Sequence, residues 1–135
     1  MTLLIARHGQ TDWNVERRWQ SRTDIPLNAT GYRQATRLGA LLRAQGFAPA
    51  RVISSPLIRA WKTAAILGEA LGQTVRVEPV LTELDLGEYE GRLEVEIRAA
   101  DGAGYDKWRE GGYLQPAPGG EGIKDVADRV KDFVD

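Results

Sequence analysis

The 135 residues are 27% charged and 42% hydrophobic with a net charge of −1, the profile of one globular domain able to bury roughly two-thirds of its unfolded surface. With no cysteine, disulfide frameworks, thiolate catalysis and cysteine zinc or iron–sulfur sites are excluded, and a single histidine removes any two-histidine zinc motif. The apolar runs are too short for a membrane span, the first residues lack the basic and apolar segments of a signal peptide, and the cytoplasm is the expected compartment.

Strand and helix alternate along the chain. Leu3-Leu4-Ile5-Ala6 is an apolar run suited to a buried strand, ending at Arg7-His8-Gly9. A polar stretch follows to about Asn28, with Asp24-Ile25-Pro26 as turn punctuation. Thr30 is a candidate N-cap for a helix through about Gln45, with Ala35, Leu38, Leu41 and Leu42 on one face and Gly46 as its stop. Arg51–Ser54 reads as a second strand. Ser55 then precedes Pro56, which opens a helix reaching Leu71 and closing at Gly72. Thr74–Val77 is a third strand. From Glu78 to Gly120 the chain is Gly-rich and irregular, with a short helix near Leu93–Ala100. Ile123, Val126, Val130, Phe133 and Val134 then mark an amphipathic helix over Glu121–Asp135. Such alternation predicts a single α/β domain over residues 1–135 with a mostly parallel sheet.

Charge is unevenly spread. Residues 1–62 hold ten Lys/Arg against three Asp/Glu, a balance of +7, while residues 63–135 carry −8, and fourteen of the eighteen cations are arginine. Basic residues offset within one domain fit a local anion site better than a polyanion track, so nucleic acid is not an expected partner. No Gly-x-x-x-x-Gly-Lys run is present, which excludes a P-loop nucleotidase.

Three positions stand out. A lone histidine is usually a surface or core residue, but His8 lies where the first predicted strand ends, and open α/β sheets bind ligands beyond the carboxyl ends of their strands. Arg7 beside it supplies a permanently charged donor fork suited to phosphate, and Gly9 permits close backbone approach to a ligand. Thr11 and Asn14 add short polar side chains, for which capping is the simpler explanation. Arg59 falls in the first turns of the helix after the second strand, where the helix dipole favours anions, although a solvated helix arginine would look the same. Glu83, in Leu81-Thr82-Glu83-Leu84-Asp85, taken alone reads as one surface carboxylate among many.

Together these segments resemble the histidine phosphatase superfamily, in its phosphoglycerate mutase-like branch. The matching text is Ala6-Arg7-His8-Gly9-Gln10-Thr11-Asp12-Trp13-Asn14; Arg18-Trp19-Gln20; Asp24 to Gly31 with Gln34-Ala35; Ser54 to Ala60 with Thr63-Ala64; Leu81-Thr82-Glu83 through Gly91; and Pro118-Gly119-Gly120-Glu121. Six ordered segments across essentially the whole chain are specific where Arg-His-Gly alone would be weak. The resemblance implies a three-layer helix-sheet-helix sandwich. It also implies phosphoryl transfer with His8 as nucleophile, Arg7 and Arg59 clamping the phosphoryl oxygens, and Glu83 as general acid and then base. Asn14 would contact the phosphate or order its loop. No metal or organic cofactor is implied, and the partner would be a small phosphorylated metabolite, with a homodimer compatible.

Two departures accompany the match. Ser21 stands where the family often has Gly, and the family's second site histidine, in a His-Gly pair after a later strand, has no counterpart here. The chain is accordingly expected to be the front part of a longer domain lacking its C-terminal strand and helix. The expected reaction is phosphomonoester hydrolysis through a phosphohistidine; the alternatives are a cofactor-dependent phosphoglycerate mutase and, from another class, a phosphate-binding module without turnover. Trp13, Trp19, Trp108, Tyr105 and Tyr113 would line a substrate pocket or, more simply, pack.

Overall fold

The computed structural model describes residues 3–134, and its contacts divide them between two compact units. The first comprises Met1–Asp12 with Ile25–Pro79, the second Trp13–Asp24 with Val80–Asp135. The chain is α/β, as expected. Its helices are α1 (Asp12–Glu16), α2 (Ala29–Ala44), α3 (Ile58–Leu71), α4 (Glu94–Glu110) and α5 (Ile123–Val134). Two strands, β1 (Val52–Ser54) and β2 (Val75–Val77), pair in parallel with Val52 opposite Val75 and Ser54 opposite Val77. No helix among the described residues is long and apolar enough to cross a membrane.

In the first unit α3 packs against both strands and against α2. The stripe predicted for α2 is partly the observed one: Ala35 and Leu42 are buried and Leu38 half-buried, whereas Leu41 is exposed. On α3, which packs against α2, Ala64 and Leu67 are the buried apolar residues. The N-cap of α2 is Asn28 rather than Thr30, because the Gly31 N–H donates to Asn28 Oδ1 at 2.9 Å. Helix α3 begins at Ile58, two residues after Pro56, and ends as expected at Gly72, whose φ of +69° closes the helix in the left-handed conformation.

One predicted element does not form. Leu3–Ala6 carries no strand pairing, and Leu3 and Ile5 are 67% and 83% exposed. An apolar run becomes a strand only when a neighbour takes up its N–H and C=O groups, and no described residue does so here.

The second unit is built on aromatic packing. Tyr105 is fully buried, and Leu86, Tyr89, Ile97, Trp108 and Ala117 surround it, with Trp19, Leu84 and Tyr113 against the cluster. Tyr89 and Trp108 meet edge to face with ring centroids 5.1 Å apart, as do Trp19 and Trp108 at 5.5 Å; such pairs contribute about 0.5–1.5 kcal/mol beyond their buried area. Trp19, Tyr105, Trp108 and Tyr113 are therefore packing residues rather than pocket walls. Helix α4 runs beyond the predicted Leu93–Ala100. Asp101 is non-helical (φ −154°, ψ 81°) and its Oδ1 accepts the Gly104 N–H at 2.9 Å, so a second helical stretch is capped where the first ends. Helix α5 starts at Ile123, two residues inside the predicted Glu121 start, and Asp135, its expected last residue, lies outside the described residues.

Candidate active site

Arg7, His8 and Gly9 lie in a segment without helix or strand, whose backbone at Gly9 and Gln10 crosses the start of α2 at Gly31. Two glycines make that crossing possible. A Cβ on Gly9 would sit 2.4 Å from the Gly31 carbonyl oxygen, and one on Gly31 would sit 2.2 Å from that of Gln10, so neither position accepts a side chain without backbone movement. Hydrogen bonds complete the clamp. The Gln10 N–H donates to Gln34 Oε1 at 2.8 Å, the Asn28 N–H to the Gln10 carbonyl at 3.0 Å, and Asn28 Nδ2 to Gln10 Oε1 at 3.1 Å.

From the other side, α3 holds the same loop. The Gly9 N–H donates to Thr63 Oγ1 at 3.0 Å, and the Thr63 hydroxyl donates to the Arg59 carbonyl, one helical turn earlier, at 2.8 Å. Thr63 thus links the residue after His8 to the residue that carries the second candidate guanidinium. Arg59 itself is 2% exposed in the first turn of α3, so it is a buried cation and not a solvated helix arginine.

The His8 ring is oriented by its own chain. Its Nδ1 lies 2.7 Å from the Gly9 carbonyl oxygen. A carbonyl can only accept, so Nδ1 carries the proton; in the neutral ring Nε2 then holds the in-plane lone pair. That tautomer is the one a nucleophile acting through Nε2 requires. His8 is half-buried and Arg7 exposed, and both line a cavity of about 260 Å³ whose other walls are Gly9, Gln34, Ala35, Leu38 and Thr63.

The remaining predicted residues belong to the second unit. Asn14 is half-buried in α1, its main-chain carbonyl accepting the Arg17 N–H at 3.4 Å. Glu83 is exposed, and its Oε1 accepts the Leu84 N–H at 2.9 Å. Its main-chain carbonyl accepts from Arg22 Nε at 3.2 Å and from Arg129 Nη2 at 3.4 Å. Both guanidinium groups also donate to Glu121 Oε1, at 3.0 and 2.9 Å. Burial pushes the Glu121 carboxyl upward, but the Arg129 hydrogen bond, the Asp85 N–H and the charge of Arg22 outweigh it and leave it below its ordinary value.

Sequence reasoning singled out neither Thr63 nor Gln34 as site residues, and it did not connect Arg22, Arg129 and Glu121. For Thr63 the signal was available: it stands four residues after Arg59, on the same helix face.

The histidine phosphatase superfamily (branch 1) family model matches residues 3–135. The chain belongs to that superfamily. Among curated members, the probable phosphoglycerate mutase GpmB of Salmonella paratyphi C is 35% identical over 131 residues, 96% of this chain. Among solved structures, a mycobacterial glucosyl-3-phosphoglycerate phosphatase in complex with VO3 superposes with a TM-score of 0.87 at 38% identity, over 94% of this chain and 62% of that one. The α-ribazole phosphatase of Shigella flexneri gives 0.80 at 29% identity, again over 94% of this chain and 62% of the other. The chain spans 60% of the length of the curated relative. These matches bear out the expected fold class and family.

Proposed function

We propose that this histidine phosphatase hydrolyses small phosphomonoesters through a phosphohistidine on His8. The observation that carries the reading is the Nδ1–H bond to the Gly9 carbonyl, which leaves Nε2 as the nucleophilic nitrogen on a loop clamped by both α2 and α3. In the first step the Nε2 lone pair attacks phosphorus and the P–O ester bond breaks. The protonated Glu83 carboxyl gives its proton to the departing oxygen. As the ring becomes cationic, its Nδ1–H bond to the carbonyl strengthens. In the second step water attacks phosphorus, Glu83 takes the water proton, and the P–N bond breaks to return the lone pair to Nε2.

Arg7 and Arg59 are proposed to hold the phosphoryl oxygens, and Asn14 to contact the phosphate or order its loop. A fixed cation aimed at developing charge is typically worth ~3–4 kcal/mol. The proposed chemistry calls for no metal or organic cofactor, and a cytoplasmic setting belongs to the same proposal. Support for hydrolysis comes from the likeness to two phosphatases; the likeness to a probable phosphoglycerate mutase supports the second reading, transfer between positions of a phosphoglycerate.

A radiolabelled phosphodonor tests the intermediate. Acid-labile label should appear on the wild type and be missing from His8→Ala. Binding without label in either protein would instead favour a phosphate-binding module. p-Nitrophenyl phosphate and 3-phosphoglycerate then separate the two reactions: isomerisation that depends on 2,3-bisphosphoglycerate, with negligible hydrolysis, would favour the mutase.

A further inference from the structure

Glu83 lies in the irregular part of the second unit, after the 3-10 turn Pro79–Leu81, yet its main chain is held from several sides. Arg129 reaches from α5 and donates through Nη1 to the Val80 carbonyl and through Nη2 to the Glu83 carbonyl. One planar guanidinium therefore spans the backbone from Val80 to Glu83. Arg22 reaches the same Glu83 carbonyl through Nε, and its Nη1 lies 3.5 Å from the Asp85 carboxylate. Glu121 ties the two cations together and accepts the Asp85 N–H at 3.1 Å; its own N–H donates to the Asp85 carbonyl at 2.9 Å.

The charges in this cluster are used internally. Two guanidinium groups face the carboxylates of Glu121 and Asp85, so the cluster is not an anion site. The Glu121 and Arg129 side chains are only 18% and 23% exposed, which shields their bond from solvent. Arms from residue 22 and from residues 121–129 meet at the backbone on both sides of Glu83, while the Glu83 carboxylate stays exposed. That is how a rigid mount for one side chain is built.

We propose that Arg129, with Arg22 and Glu121, is the positioning group for Glu83, fixing where its carboxyl gives and takes the proton during phosphoryl transfer. The inference rests on the assignment of Glu83 as general acid and base.

The test uses the full chain with Arg129→Met, which keeps bulk, Arg129→Lys, which keeps charge without the fork, and Glu121→Gln. Amide exchange at Leu84 and Asp85 should quicken by about tenfold or more in Arg129→Met, as expected on losing charge-assisted bonds, and Arg129→Lys should not restore it. Hydrolysis of an alkyl phosphate should fall by about tenfold or more while p-nitrophenyl phosphate, whose leaving group needs little proton transfer, changes by less than about threefold, with KM unmoved. Exchange within twofold of wild type in both Arg129→Met and Glu121→Gln, or full restoration by Arg129→Lys, would overturn the proposal. The exchange measurement needs no turnover and so judges the mount alone. If Glu83→Gln slows both phosphates equally, the general-acid assignment fails instead, whatever Arg129→Met shows.

Discussion

Replacing Thr63 with valine removes one hydroxyl at nearly constant volume, and that hydroxyl is both acceptor for the Gly9 N–H and donor to the Arg59 carbonyl. Thr63 is 4% exposed and Gly9 is buried, so water cannot take over without rearrangement. A buried N–H left without an acceptor costs about 1–3 kcal/mol. In a chain of this length each kcal/mol moves the thermal midpoint by roughly 4 °C, so Thr63→Val should melt roughly 4–12 °C lower by circular dichroism. Thr63→Ser keeps the hydroxyl and loses a methyl, and should fall between the two. Labelling of His8 should slow by about tenfold or more in Thr63→Val, because small displacements of a reacting group cost one to two orders of magnitude. A Thr63→Val protein as stable as wild type, or more stable than Thr63→Ser, would refute the clamp.

Further outcomes follow from the same geometry. Gly31→Ala forces a Cβ into the Gln10 carbonyl and should destabilise the fold by about 1–3 kcal/mol in urea titrations while abolishing His8 labelling. Arg59→Met, which preserves much of the buried bulk, should lower the transfer rate by about 10²–10³-fold; activity within a few-fold of wild type would remove Arg59 from the clamp. Because Arg59 is buried, Arg59→Ala should also lose stability, which a surface position would not. The Glu121 carboxyl is held below its ordinary value of 4.5, so its contribution is complete above that pH and is lost as pH falls through the lowered folded value. Urea midpoints measured down through this range should drop for wild type and flatten for Glu121→Gln; parallel curves would contradict the ion-pair account.

Local signals carried most of the helix and strand boundaries. Gly46 and Gly72 both take positive φ past the ends of α2 and α3, and β1 and β2 fall inside the predicted runs. Leu3–Ala6 shows the limit of such reasoning, since its apolar pattern states a wish for burial that only a distant partner can meet. In α4 the predicted end at Ala100 marks the kink, while Gly102 and Gly104 hid the second stretch; burial of Tyr105 and Trp108 outweighs their poor propensity. Arg7 and His8 stood out by residue type, and they line one cavity, although the strand expected to end at them does not form. The cluster of Arg22, Glu121 and Arg129 was not readable from the sequence, for each is one of many charges and only the fold joins them.

The tautomer of His8 is tested most directly by heteronuclear NMR of the isotopically labelled, phosphorylated protein. Phosphorus should couple to Nε2, with a proton retained on Nδ1 and hydrogen-bonded to the Gly9 carbonyl. Phosphorus bonded to Nδ1, or a Nδ1 without its proton in the unmodified neutral ring, would contradict the account.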